Sequence, residues 1–452
     1  MSAQGCPEGE FRSAQHEGVP RSGRASRRAI GDTSPDMKAI STEPCTQPRP
    51  ARLGQSAGRL FGGLVGFVGV IGFIGFIGLG LATAAHAETL LVGPDGGQAR
   101  LDDALRKARD GDVIELLPGN YRGVRLMLEN RRLTLRGVGD KKPVLDGERK
   151  STATYALVLV RGGEVALENI EIRGARANDG EGAGVRLEGG RLKLKGCAFY
   201  DNENSLVTTA DDKAEVEIEN TQFGQTPQVE GALHHLLNIG RIAKLSVTGS
   251  RFQAGFEGHM IKSRARETDV RYSFIHDGGA GGSSYEIDLP LGGVVTLIGN
   301  VIGQSPKGRN RVMVAYGSDG NGWPRNALYM AHNTLLNYQL TPAWFLRVWG
   351  DQLPAGTEIV AVNNLLVGGG VFSLGNSGRF EGNHHALRSM LADPDTYAFE
   401  LPAGSLWRGM GVDPGKAMAG RDLSPGAEFA WPMGTKPLLP GRSSWSPGAF
   451  QK

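Results

Sequence analysis

The chain has 452 residues, of which 68 are glycine and 21% are charged, so it is not a disordered polyelectrolyte, and its length suits a solenoid. Residues 1–87 contain 9 Lys or Arg and 6 Asp or Glu, which accounts for the net charge of +3, and the remaining residues contain 41 of each. This balance lacks the basic excess that nucleic-acid binding usually needs, so no nucleic-acid partner is expected.

The first part of the chain has the features of an export signal. Residues 1–58 are rich in Arg, Ser, Gly and Pro without periodicity, which predicts a disordered leader. Residues 59–87 contain an uncharged apolar run at 60–81 and end in Ala-His-Ala, the pattern of a signal peptide cleaved before Glu88. The apolar run is also long enough to stay in the inner membrane as a signal anchor. Both alternatives place the body outside the cytoplasm: it is periplasmic or secreted if the signal is cleaved, and anchored in the inner membrane through residues 60–81 if it is not.

The body of the chain repeats one short strand unit. Residues 98–109 carry apolar residues at helical spacing and predict a short helix that caps the first coil. After it, alternating apolar residues, a turn position held by Asn, Gly or Ser, and a second short strand recur every 24–33 residues. The units start at residues 165, 192, 216, 245, 269, 295, 328 and 360.

This spacing predicts an all-β fold, a right-handed parallel β-helix solenoid over residues 88–385. The turn asparagines of neighbouring coils are expected to stack in hydrogen-bonded ladders. An irregular tail over residues 386–452 is expected to pack back on the coils. Cys197 is the one cysteine of the body, so the mature chain has no intrachain disulfide, and its apolar strand context predicts a buried packing residue. A monomer is predicted.

The most unusual side chains lie within residues 230–291. If Leu237, Ile261 and Ile287 point inward on successive coils, their outward neighbours share one column on the surface. We expect this surface patch to contain the following polar residues: Asn238, Lys262, Arg264, Asp288 and Glu286, with His235 and Tyr285 at its flank and Arg347 as an extension of the column. Trp323, in a Gly-rich loop, is expected to meet a sugar ring.

These residue types match the needs of a lyase that acts on a uronic-acid polysaccharide by β-elimination. Such an enzyme neutralises the sugar carboxylate with Arg or with a cation such as Ca²⁺, for which Glu286 and Asp288 are the candidate ligands. It also needs a base for the C5 proton, the role predicted for Lys262, and an acid near the leaving oxygen, for which Tyr285, His235 and Lys262 are candidates. Asn238, Arg347 and Trp323 are the predicted substrate-binding residues.

Parts of the sequence resemble a known superfamily. The helix followed by DGDVIELLPGNY at residues 110–121 resembles the opening of pectin-lyase-like β-helix proteins, and the tail resembles the closing segment of many β-helix enzymes. The Lys-Ser-Arg string at residues 262–264 is similar to that of alginate and chondroitin lyases that pair a Lys base with an Arg. The resemblance implies a polysaccharide-lyase-like fold with Lys262 as the base and Arg264 as its partner.

Three other interpretations of the sequence stay open. The charged patch is also what a solvated ladder of cross-strand ion pairs would look like, with no chemistry attached. A non-catalytic envelope protein that binds glycans or partners along its flat faces would have the same repeat. Asp211, Asp212 and the pair Gly258-His259 faintly echo polygalacturonases, which hydrolyse glycosidic bonds with paired carboxylates, although the Asn-Thr-Asp string of that family is absent.

Overall fold

The computed structural model describes residues 87–451, except positions 321, 376, 418, 419 and 443. The predicted leader and the signal segment therefore lie outside the described residues. Within the described part, no helix is both long and apolar enough to cross a membrane.

The described chain forms two long parallel sheets. In both, each strand pairs in parallel with the corresponding strand of the next coil, so backbone hydrogen bonds run along the axis of a parallel β-helix. One sheet has 20 strands, namely β1 (Thr89–Val92), β2 (Val113–Leu116), β4 (Leu126–Gly137), β6 (Ala156–Glu168), β8 (Ala183–Leu187), β9 (Arg191–Lys195), β11 (Asn204–Thr208), β12 (Asp211–Glu219), β14 (Leu237–Ile239), β15 (Ile242–Thr248), β17 (Ile261–Ser263), β18 (Glu267–Arg271), β20 (Ile287–Leu289), β21 (Val294–Ile298), β23 (Val312–Tyr316), β24 (Ala327–Ala331), β26 (Ala343–Val348), β27 (Glu358–Val362), β29 (Gly370–Phe372) and β30 (Arg379–Glu381).

The other sheet has 11 strands, namely β3 (Asn120–Arg122), β5 (Val144–Asp146), β7 (Glu171–Arg173), β10 (Ala198–Tyr200), β13 (Gln222–Gly224), β16 (Arg251–Gln253), β19 (Phe274–His276), β22 (Val301–Gln304), β25 (Thr334–Asn337), β28 (Leu365–Val367) and β31 (His384–Ala386). A short antiparallel pair, β32 (Ala427–Phe429) with β33 (Thr435–Pro437), stands apart from both. The helices among the described residues are α1 (Gly97–Lys107) and three 3-10 turns at Gly350–Gln352, Arg388–Met390 and Pro394–Thr396.

The 20-stranded sheet covers two sides of the solenoid. Strand β6 pairs with both β8 and β9, so one long strand crosses two sides where later coils use two separate strands. We call the side that carries β8, β11, β14, β17, β20, β23, β26 and β29 the front face, and the side that carries β9, β12, β15, β18, β21, β24, β27 and β30 the side face. The 11-stranded sheet forms the back face.

The core is a continuous stack of inward side chains that runs along the axis. One apolar cluster extends from Val92 in the first strand to Leu366 in β28. Within it, the rings of Phe199, Phe223 and Phe252 lie on successive coils with centroids 4.9 and 4.8 Å apart. Cys197 is buried, as predicted, and burial raises the pKa of its thiol to about 11.

A ladder of side-chain amides follows the bend between the side face and the back face. The Nδ2 of Asn300 donates to Oδ1 of Asn333 at 3.0 Å, Asn333 donates to Asn364 at 2.9 Å, and Asn364 donates to Asn383 at 2.9 Å. The residue before Asn333, His332, has a φ of 54°, the left-handed conformation that the bend requires. The predicted asparagine ladder is confirmed.

Segments near both ends of the described residues contact the coils. In α1, Leu101 and Ala104 are buried in the main core, and whether this helix acts as a cap stays a prediction. After β31, Phe399 and Phe429 pack on the outer surface of the back face around Phe274. These contacts of the tail therefore lie on part of the back face and, through Ala417 and Leu423, on the side face, and neither cluster includes a residue of the front face.

Replacing Asn333 with Ala is expected to lower the free energy of unfolding by about 2–4 kcal/mol, because the Asn300 N–H and the Leu297 carbonyl would lose their partners inside the bend. Urea denaturation of the protein and the variant measures this difference. The exposed residue Lys141 supplies the control, since Lys141→Ala should change stability by about 0.5 kcal/mol or less. Equal effects of the two substitutions would contradict the importance of the ladder.

Candidate active site

The predicted inward register on the front face is confirmed. Leu237 pairs with Ile261, and Ile261 pairs with Ile287, and all three side chains are fully buried. Because successive strand residues point to opposite sides, the next position on each coil points outward. Asn238, Lys262 and Asp288 therefore form one column on the surface.

Lys262 and Asp288 form an ion pair in this column. The Lys262 Nζ lies 3.7 Å from Asp288 Oδ2, and only 7% of the Asp288 side chain is exposed. Burial raises the pKa of Asp288 to about 6, although Lys262 and Arg264 favour its charged form. Loss of hydration therefore outweighs the attraction of both cations at this carboxylate.

A second column of rings stands beside the first. His235, His259 and Tyr285 occupy equivalent positions on successive coils, with ring centroids 4.8 Å apart at both steps. The rings of His259 and Tyr285 are nearly parallel, at 5°. The backbone N–H of His259 donates to Nδ1 of His235 at 2.9 Å, which fixes the His235 ring and leaves its proton on Nε2 when it is neutral.

Both imidazoles are held in the neutral form. Burial, followed by the charges of Lys262 and Arg264, lowers the pKa of His235 to about 3. Burial, then His235, then the same two cations lower the pKa of His259 to about 2. The Nδ1 of His259 has no hydrogen-bond partner among the described residues and lies 3.8 Å from Asp288 Oδ2. A neutral imidazole with a free nitrogen thus faces the Lys262–Asp288 pair.

His259 is a site residue that was not predicted for the lyase site. Its signal was present in the sequence, because His235, His259 and Tyr285 are 24 and 26 residues apart. The inward residues Leu237, Ile261 and Ile287 have the same spacing.

Arg264 and Trp323 meet behind the column. Trp323 is only 6% exposed, and its indole Nε1 donates to the Arg264 carbonyl at 3.1 Å. The guanidinium of Arg241 covers the Trp323 ring at 3.9 Å. The structure therefore places Trp323 as a support beneath Arg264, with little ring surface left for the sugar contact that was expected.

Arg347 lies further along the column than expected. Ala315 separates it from Asp288, because Asp288 pairs with Ala315 and Ala315 pairs with Arg347. The Arg347 side chain is exposed, and its guanidinium lies 4.5 Å from the centre of the Trp349 ring. Arg347 can meet a long polymer on the front face but does not contact the Lys262–Asp288 pair.

Glu286 lies inside the coil, which corrects the expectation that it belongs to the surface patch. Its register places it between Met260 and Met313, and its side chain is fully buried. Glu286 and Ile287 both point inward, so a bend interrupts the alternation that the sequence suggested. Glu286 therefore cannot share a surface cation with Asp288.

The surface patch does not fit a Ca²⁺ ion. Calcium takes six to eight oxygen ligands, while Asp288 stands beside the Lys262 ammonium without a second carboxylate from Glu286. Among the described residues, no group of three or more His, Cys, Asp or Glu side chains is arranged to hold a metal.

The carboxylates suggested for a hydrolase are engaged elsewhere. Asp211 accepts a hydrogen bond from the backbone N–H of Lys213 at 3.0 Å, and Asp212 lies 3.6 Å from the Arg241 guanidinium. His259 belongs to the ring column of the front face instead. The geometry gives the hydrolytic alternative no facing carboxylate pair at these positions.

Comparisons with solved structures find a pectate lyase and alginate lyases. The pectate lyase Pel9A is similar at a TM-score of 0.58 and 14% identity, over 81% of this chain and 96% of that chain. The alginate lyase AlyGC of the PL6 family has a TM-score of 0.38 and 15% identity, over 67% of this chain and 40% of that chain. An alginate lyase from Paenibacillus sp. has a TM-score of 0.38 and 16% identity, over 66% of this chain and 99% of that chain. No protein-family model and no curated protein sequence matches. The likeness to the pectate lyase and the stacked parallel sheets confirm the predicted parallel β-helix fold.

The raised pKa of Asp288 gives a stability test of the site. Below about pH 4 the carboxyl group is protonated in both the folded and the unfolded chain, and the stability that burial of the neutral form contributes is lost as the pH rises through about 6. The Asp288→Asn variant has no carboxyl group to ionise, so it does not lose this stability. The difference in free energy of unfolding between the variant and the wild type should therefore shift in favour of the variant by about 2–3 kcal/mol between pH 4 and pH 7. Urea denaturation across this range measures it, and a difference that is constant with pH would contradict the burial argument.

Proposed function

We propose that the protein is a lyase that cleaves a uronic-acid polysaccharide by β-elimination. The observation that carries the proposal is the placement of Lys262, Arg264, His259 and Tyr285 around one point of a rigid front face. The Arg264 guanidinium suits a polyanionic substrate, and the Lys262 amine and the Tyr285 phenol suit proton transfer. The pectin-lyase-like fold supports the proposal without naming the polymer.

The reaction divides among these residues by their chemistry. Arg264 pairs with the carboxylate of the sugar and makes the neighbouring C5 proton more acidic. Lys262 first gives its own proton to the Asp288 carboxylate 3.7 Å away, whose proton affinity is raised by burial. The neutral amine then removes the C5 proton as the general base, and the electron pair forms the C4–C5 double bond while the C4–O bond breaks. Tyr285, stacked on His259, donates a proton to the departing oxygen. The products are a chain with an unsaturated end and a chain with a free hydroxyl group.

The surroundings suit this division of roles. Neutral His259 adds no charge of its own beside Lys262, and its buried Nδ1 faces the Asp288 carboxylate at 3.8 Å. Asn238, beside Lys262 on the preceding coil, can bind a sugar hydroxyl. Export through residues 59–87 would bring the enzyme to polymers outside the cytoplasm. The equal numbers of acidic and basic residues in the body agree with a partner other than nucleic acid.

Lys262→Ala is expected to lower kcat on the polymer that the protein cleaves by about 100-fold or more, since it removes the general base. Absorbance of the unsaturated product, with alginate, pectate and glycosaminoglycans as substrates, measures turnover. Lys244→Ala is the matched control, because Lys244 is an exposed lysine beside Glu215 and Glu267 on the side face. Polymer that is retained without any product would instead favour a non-catalytic glycan-binding protein.

Tyr285→Phe is expected to keep the ring stack and the stability of the protein while it lowers kcat by about 100-fold, because only the phenolic hydroxyl is lost. Product formation and thermal unfolding are measured on the same preparations. A leaving group that needs no protonation should restore part of the lost rate. Unchanged turnover in this variant would remove Tyr285 from the reaction.

A further inference from the structure

A second group of charged and aromatic side chains lies on the front face, beyond the candidate active site. Strand β26 carries Trp344 and the exposed residue Arg347, and Trp349 follows directly after the strand. The Arg347 guanidinium lies 4.5 Å from the centre of the Trp349 ring and 5.8 Å from that of the Trp344 ring. One guanidinium is therefore flanked by two indoles, both of which are partly exposed.

The strand register places this group in line with the candidate active site. Arg347 pairs with Ala315, and Ala315 pairs with Asp288, so the guanidinium belongs to the column of Asp288. Trp344 stands three positions before Arg347, just as Tyr285 stands three positions before Asp288. The arrangement of a ring beside a charge therefore recurs two coils further along the axis.

The coil between the two groups leaves the front face open. Its residues next to them have short apolar side chains or none, namely Val312, Ala315 and, directly after strand β23, Gly317. Strands of adjacent coils are about 4.8 Å apart, so Arg347 lies roughly 10 Å from Asp288 along the axis. Successive sugar residues of an extended uronic-acid chain repeat at an interval similar to one coil. A polymer that follows the axis would therefore bring a further sugar to Arg347.

The charge of Arg347 is left without a counter-ion. Among the described residues, no carboxylate forms an ion pair with its guanidinium. Arg186, which lies in the same column on an earlier coil, instead pairs with Glu188 at 3.0 Å. A guanidinium that is exposed and held beside two rings is suited to an external carboxylate, which it can bind with two parallel hydrogen bonds.

We propose that Trp344, Arg347 and Trp349 form an outer subsite that binds one uronic-acid residue of the polymer, away from the point of cleavage. Arg347 pairs with the carboxylate of that sugar, and the two indoles offer apolar surface to its ring. A neutral glycan would leave the charge of Arg347 unpaired. The subsite rests on the proposed uronic-acid substrate and adds that the polymer extends along the front face toward the C-terminal coils.

Long fragments should use this subsite and short ones should not, because Arg347 lies three coils from Lys262. Binding of alginate and polygalacturonate fragments to Lys262→Ala, which serves as the uncleaving parent, is measured by titration calorimetry. Adding Arg347→Ala should weaken the binding of fragments of about six sugar residues by about 10-fold and leave the binding of disaccharides unchanged. Arg347→Lys should recover part of the affinity, since it keeps the charge but loses the planar fork.

Arg388→Ala is the matched control for these measurements. Arg388 is also exposed and lies 5.0 Å from the centre of an aromatic ring, that of Tyr338, but next to the back face. Its removal should leave the affinity for every fragment unchanged. An equal loss in this control, a loss in Arg347→Ala that is the same for short and long fragments, or a parent that binds neither polymer would overturn the subsite.

Turnover separates the subsite from the proposed reaction. With Lys262 intact, Arg347→Ala should raise KM for the long polymer about 10-fold and leave kcat unchanged, because Arg347 is remote from the reacting atoms. Product formation with an unchanged KM and an unchanged affinity would overturn the subsite and leave the lyase in place. Weaker binding of long fragments to Arg347→Ala, without any product from the wild type, would support the subsite and reject the lyase.

Discussion

Each coil of this protein is positioned by the parallel hydrogen bonds to the coil before it. That constraint stacks equivalent residues of successive coils above one another. Residues of one type that recur in the sequence at the coil spacing therefore become neighbours along the axis. The asparagine ladder through Asn300, Asn333 and Asn364 and the ring column through His235, His259 and Tyr285 both follow from it. The core and the candidate active site therefore both depend on the same strand register.

Burial decides what the stacked charges can do. On the side face, charged residues such as Lys193 and Glu217 pair at 2.9 Å with side chains that remain substantially exposed, and such pairs add little stability. On the front face, Asp288 and the two histidines have lost most of their water, so their pKa values shift toward the neutral forms. The same repeat thus yields a solvated ladder on one side and a set of groups suited to proton transfer on another.

The sequence was sufficient to predict the register but not every side-chain direction. Leu237, Ile261 and Ile287 were placed correctly because apolar residues at a coil spacing have one consistent inward solution. Glu286 was misplaced because two consecutive residues point inward at this position of each coil, and the signal was the apolar pairs Leu236–Leu237 and Met260–Ile261 at the coil spacing. Trp323 was misplaced because its position depends on a long loop that folds back on Arg264, a contact between residues 59 positions apart.

The bend at Glu286 has consequences on both sides of the sheet. Along the chain Tyr285 and Asp288 point outward, while Glu286 and Ile287 between them point inward. Because Tyr285 and Asp288 both point outward, the ring column stands beside the column of Asn238, Lys262 and Asp288. His259 Nδ1 therefore lies 3.8 Å from Asp288 Oδ2 on the adjacent coil. The inward position brings a carboxyl group into the core, where an apolar residue would otherwise extend the methionine column. The same consecutive buried pair occurs at Leu236–Leu237, Met260–Ile261 and Met313–Val314, so the break in strand alternation is repeated along the front face and Glu286 is a carboxyl group at a position that is apolar on these coils.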